Sequence, residues 1–159
     1  MYTAAVITVS DGCFGGDRED LSGPVICDML KAEGYDVGYI ATVPDEQDII
    51  EQELIKCTDE FYISLIITTG GTGFSSRDVT PEATEVVCTK MTPGIPEAMR
   101  AEGLKVTGNA MLARQQAGIR SQSLIINLPG SPKAAKENLA AVLPVLNHGL
   151  KMLHGEKHD

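Results

Sequence analysis

Residues 63–73 read Ile-Ser-Leu-Ile-Ile-Thr-Thr-Gly-Gly-Thr-Gly, a nearly continuous apolar and β-branched run that stops on paired glycines. A strand with one wet face alternates apolar and polar side chains, whereas one covered on both faces does not. The run therefore predicts a buried strand at Ile63–Thr69 inside a parallel sheet. Tyr2–Val9 has the same character and ends on Ser10-Asp11-Gly12. Val37–Val43 and Leu124–Leu128 predict two further strands.

Helical patterns alternate with these runs. Ser22–Glu33 carries apolar residues at 25, 26, 29 and 30 and stops at Gly34. A second helix opens at Pro44-Asp45-Glu46 and puts Ile49, Ile50, Leu54 and Ile55 on one face, with Asp45 placed to cap it and Asp48 to complete a capping-box-like pattern. Pro81–Lys90, Pro96–Leu104 and Asn109–Ala117 predict three short helices. Pro132–Leu153 predicts a long amphipathic one, interrupted or kinked near Pro144. Cys13–Asp20 reads as a polar loop. The order β-α-β-α-β-(helices)-β-α describes an α/β protein with helices on both faces of a parallel sheet. Residues 1–153 read as one domain and 154–159 as a solvated C-terminal tail.

In such a sheet, ligands bind beyond the carboxyl ends of the strands, where strand order reverses. Four strand ends here are unusual: Ser10–Gly12, Val43–Glu46, Thr68–Gly73 and Leu128–Pro132. They are expected to cluster.

Composition narrows what they bind. The chain has 159 residues and a formal charge of −9. Residues 1–60 hold 14 acids against 3 Lys/Arg, and the remainder holds 8 against 10. The first part repels a phosphate backbone and the second barely attracts one, so nucleic acid is not an expected partner. No apolar run reaches the roughly 20 residues of a membrane span. The opening segment lacks the basic start of a signal peptide, so a cytoplasmic location is expected. Cys13, Cys27, Cys57 and Cys88 lie 14, 30 and 31 residues apart, which fits buried thiols better than a zinc site or a disulfide framework. His148, His154 and His158 all fall in the last 12 residues. The pair His154/His158 has helical metal-ligand spacing, but Gly155 and the nearby chain end favour solvated side chains.

What remains is anion-binding chemistry. Gly70, Gly71 and Gly73 permit positive φ and close backbone approach, so Thr69–Gly73 reads either as a tight turn or as a nest of N–H groups for an anion. No Lys-Ser/Thr follows at the spacing of a Walker loop. Arg77 supplies a permanent cation able to hold a phosphate or a carboxylate bidentately. Asp78 and Asp45 each read as a helix cap or as one of two carboxylates that hold Mg²⁺ with phosphates. Gly130 and Ser131 open the last helix, where N–H groups also face an anion.

The strings TTGGTGFSSRDVTPEA (68–83), PGIPEAMR (93–100), LARQQAG (112–118) and LPGSPKAA (128–135), with VSDG at 9–12 and VPDEQ at 43–47, together resemble the MogA/MoaB family of molybdenum-cofactor biosynthesis proteins and the matching domain of gephyrin. The resemblance implies a three-layer α/β/α molybdopterin-binding fold, a homotrimer, and transfer of AMP from Mg-ATP to the terminal phosphate of molybdopterin. It implies catalytic and Mg²⁺-linked roles for Asp45 and Asp78. It also implies substrate contacts at Ser10, Asp11, Thr69, Gly70, Gly71, Thr72, Gly73, Arg77, Arg114, Gly130 and Ser131. Ala113 stands where the family often has Ser. A MoaB-type binder that holds molybdopterin without adenylylating it is the alternative, and a CinA-like pyrophosphohydrolase the third reading.

Overall fold

The computed structural model describes residues 1–156, and the His158 part of the histidine pair lies outside them. Six strands form one sheet in the order β2-β1-β3-β6-β5-β4. Its parallel half comprises β1 (Thr3–Val9), β2 (Asp36–Val43), β3 (Leu65–Thr69) and β6 (Ser123–Leu128). The antiparallel edge comprises β4 (Lys90–Met91) and β5 (Ala117–Arg120). Every residue of β3 is buried, as its unbroken apolar run requires.

The helices split between two faces. On one, α2 (Ser22–Ala32), α5 (Gly94–Leu104) and α6 (Pro132–Leu153) cover Ala4, Val6, Leu65, Ile67 and Ile126. On the other, α3 (Gln47–Ile55) and α4 (Thr80–Val87) cover Ala5, Ile7, Ile66 and Ile125. Successive strand residues therefore feed two separate cores, which is the three-layer α/β/α arrangement expected. Because β1 lies between β2 and β3, the chain steps to one side of β1 and then to the other. The strand order therefore reverses between β1 and β3, and the cleft opens above their carboxyl ends.

Some local expectations fail. Asn109–Ala117 is not a helix: one 3₁₀ turn, Gly108–Leu112, is capped by the Thr107 side chain, and the chain then extends into β5. The Arg114 amide donates to the Thr72 carbonyl and the Asn127 amide donates to the Gln116 carbonyl, so backbone partners elsewhere pull this segment out of helical geometry. Strands β4 and β5 carried no strand signal because they are only two and four residues long. α4 stops at Val87, since Thr89 and Lys90 turn to pair with Ile119. The loop expected at 13–20 contains part of a helical turn, α1 (Asp11–Phe14), whose N-cap is Ser10. α6 runs unbroken through Pro144 over 22 residues. α3 continues into a π-helical turn at Lys56–Glu60.

The start of the expected tail is tied down. His154 Nε2 lies 3.0 Å from the Gln122 carbonyl, and the Tyr2 hydroxyl donates to Glu156. No helix among the described residues is long and apolar enough to cross a membrane.

Candidate active site

A cleft of about 460 Å³ sits over the ends of the four parallel strands. β1 contributes Thr8 and Val9, the residue after it contributes Ser10, and the turn after β2 contributes Asp45. The loop after β3 contributes Thr69, Gly70, Gly71 and Asp78, and the turn after β6 contributes Gly130 and Ser131. The four unusual strand ends therefore meet.

Glycine is required where they meet. Gly70 has φ +103°, and a Cβ there would lie 2.2 Å from the Val9 carbonyl oxygen. The Gly70 amide donates to the Leu128 carbonyl, and the Thr69 hydroxyl donates to the Pro129 carbonyl at 2.7 Å. The Ser22 hydroxyl donates to the Gly130 carbonyl at 2.6 Å. From the far side, the Thr80 hydroxyl donates to the Gly70 carbonyl and the Thr80 amide to the Gly71 carbonyl, latching the start of α4 to the loop. The Ser131 hydroxyl caps α6 by accepting from the Ala134 amide.

Both expected carboxylates face this bed. A Cβ on Gly71 would lie 3.1 Å from Asp45 Oδ1, and one on Gly73 would lie 2.9 Å from Asp78 Oδ2. Neither carboxylate caps a helix. Asp45 Oδ2 accepts the Asp11 amide, while α3 starts after Glu46 without a side-chain cap. Asp78 Oδ2 accepts the Ser75 amide and steadies its own loop. Burial holds the Asp45 carboxyl above the usual carboxylate range, and the charges of Asp11 and Asp78 add to that effect. Anions crowded in this way are the chemistry of a cation site, so Asp45 and Asp78 fit a hard divalent ion shared with phosphate oxygens.

The other expected residues are placed differently. Asp11 is exposed and accepts both Arg77 Nε and Nη2 at 3.0 Å, and Arg77 also pairs with Glu46. These hydrogen bonds from Arg77 hold the Asp11 carboxyl below its ordinary value. Arg114 donates to the Gly73 and Asp78 carbonyls and pairs with Glu82 at 2.6 Å, behind the glycine loop. Asp11, Thr72, Gly73, Arg77 and Arg114 do not line the cleft.

Sequence reasoning did not single out the wall formed by Arg18, Glu19, Asp20 and Leu21. Asp20 accepts the Thr8 hydroxyl at 2.7 Å and the Gly23 amide at 2.9 Å, so it joins β1 to α2. An acid three residues before Gly23, at a helix start, was the available signal. Also unforeseen is a second, more apolar cavity of about 430 Å³ between α5 and α6, reached by Met99, Ala110, Ala113 and Gln115. Ser131 lines both.

Comparison with known proteins places this geometry. Residues 5–148 match the model of a family described as a probable molybdopterin binding domain. The molybdopterin adenylyltransferase of Helicobacter pylori is 48% identical over 154 residues, covering 94% of this chain and 86% of that protein. Its Escherichia coli K12 counterpart is 40% identical over 152 residues, covering 94% and 77%. Among solved structures, the molybdopterin biosynthesis enzyme MoaB of Thermus thermophilus superposes with a TM-score of 0.94 at 43% identity over the whole of both chains. The Mog protein of Mycobacterium ulcerans superposes at 0.91 with 33% identity, over 96% of this chain and 99% of that one.

Proposed function

Because the chain belongs to the molybdopterin-binding domain family of molybdenum-cofactor biosynthesis proteins, we propose that it is a molybdopterin adenylyltransferase using ATP, acting as a homotrimer. The observation that carries the reading is the pair of cavities joined at Ser131. Transfer between two substrates needs two adjoining places and an anion-binding element where they meet. Here the polar, acid-walled cleft suits the nucleotide with its metal, and the more apolar cavity suits the pterin. The Gly130–Ser131 turn stands at the start of α6, where unpaired N–H groups favour phosphate.

In the reaction, an oxygen of the terminal molybdopterin phosphate attacks the α-phosphorus of ATP. The bond from that phosphorus to the β-phosphate oxygen breaks, and pyrophosphate leaves with its electron pair. The nucleophile is already anionic near pH 7, so no strong base is required. Asp45 and Asp78 would hold Mg²⁺, which when bound neutralises phosphate charge. The chain itself supplies alignment: the main-chain amides of Gly71, Gly130 and Ser131 would meet the phosphates, and the hydrogen bonds around Gly70, whose own amide is taken by the Leu128 carbonyl, fix the loop in place. Such alignment is worth several kcal/mol of a bimolecular barrier, on the order of what intramolecular reactions gain.

The test is pyrophosphate release by purified protein given ATP, Mg²⁺ and molybdopterin. Release that depends on the pterin supports transfer. Tight pterin binding without release would instead support a MoaB-type binder that holds molybdopterin without adenylylating it.

A further inference from the structure

Charge in the first cleft is lopsided. Its walls carry the carboxylates of Glu19, Asp20, Asp45 and Asp78 and a single guanidinium, that of Arg18. A nucleoside triphosphate brings about four more negative charges, and one divalent cation cannot balance the sum. A protein cation that meets the phosphates directly therefore counts for much here, and Arg18 is the one Lys or Arg among the residues lining this cleft.

The two arginines that the motifs point to are already engaged. Arg77 is held by Asp11 and Glu46, and Arg114 by Glu82 and two carbonyls. Releasing either would break a pair and slacken the loop it braces. Arg18 differs: among the described residues its guanidinium has no hydrogen-bond or ion-pair partner. The main chain leading to it is nevertheless fixed, since the amides of Asp17 and Arg18 both donate to the Gly12 carbonyl, at 2.9 and 3.2 Å. Its aliphatic stem crosses Gly12, where a Cβ would come within 2.6 Å of Arg18 Cδ. Glycine at 12 thus leaves the room the stem occupies, and the charged head is left without a protein acceptor beside an acid-walled cavity.

We propose that Arg18 is the substrate-binding cation of this cleft and meets the phosphates of the nucleotide. The assignment rests on the reading that the cleft takes ATP, and its test separates the two. Calorimetric titration of the full chain with Mg-ATP, and separately with adenosine, compares the unaltered protein with Arg18→Gln and Arg18→Lys. Loss of a charge-assisted contact to phosphate predicts ATP binding weakened roughly ten- to a hundredfold in Arg18→Gln. Adenosine binding and melting temperature should be unchanged, with partial recovery in Arg18→Lys. Equal ATP affinity in Arg18→Gln overturns the proposal. So does an equal loss for adenosine, which would mean a disturbed loop, and so does failure of the unaltered protein to bind ATP. Arg18-dependent ATP binding without pterin-dependent pyrophosphate release would sustain Arg18 and sink adenylyl transfer.

Discussion

Asp11 and Asp45 hold each other's main chain: the Asp11 amide donates to Asp45 Oδ2 at 2.9 Å, and the Asp45 amide donates to Asp11 Oδ1 at the same distance. The clasp joins the end of β1 to the end of β2, and Arg77 locks it from the loop after β3. Asp11 therefore acts on the cleft through Asp45, leaving Asp45 Oδ1 beside Gly71.

Asp11→Ala should lower kcat for pyrophosphate release by at least about tenfold, or ~1.4 kcal/mol. Asp11→Asn keeps an oxygen for the Asp45 amide and should retain a good part of the rate while losing the ion pair to Arg77. Equal losses in the two variants would show that the charge matters and the clasp does not.

Asp78→Asn should leave the fold intact and cut turnover at least about tenfold. The Ser75 amide can still be accepted by the remaining oxygen, so circular dichroism and melting temperature should match the unaltered protein. An unchanged rate would remove Asp78 from the site.

Gly70→Ala should destabilise by several kcal/mol, on the order of a strained backbone position plus a steric clash. Alanine disfavours φ +103°, and its methyl would overlap the Val9 carbonyl. Urea denaturation measures this. A loss below about 1 kcal/mol would mean the loop can relax away from β1.

Stability should fall on acidification. Hydrogen bonds from Arg120 hold the Asp59 carboxyl below its ordinary value, and those from Arg114 do the same for Glu82. Each lowered carboxyl makes the unfolded chain bind protons first as pH drops. The stability it contributes is therefore whole above about pH 5 and is lost as pH falls through the folded value. Asp45, raised by burial, works in the opposite direction and offsets part of the loss. Melting curves from pH 7 to 3 should show the decline, and Glu82→Gln should flatten it.

The parallel strands and the meeting of their carboxyl ends were legible because both follow from local pattern: continuous apolar runs that stop on glycine or acid. The short strands at the antiparallel edge were not. Ala117–Arg120 becomes a strand only because β6 offers it a backbone to pair with, and nothing within four residues encodes a partner that is distant in sequence. The same limit governed the arginines. Arg77 read as a holder of either a phosphate or a carboxylate and Arg114 as a phosphate partner, because a motif shows their charge but not the acids beside them, whereas Arg18 lay in a loop without a motif. The roles of Asp45 and Asp78 as helix caps failed likewise, since the amides they accept come from Asp11, across the sheet, and from Ser75.

Thr80 gripping the glycine loop through both its hydroxyl and its amide has a practical corollary. The glycine loop is hydrogen-bonded into place without a ligand, so a stiff bisubstrate mimic moulded to the proposed phosphate bed would sacrifice little freedom of the protein on binding. Inhibitor design here should favour shape over flexibility.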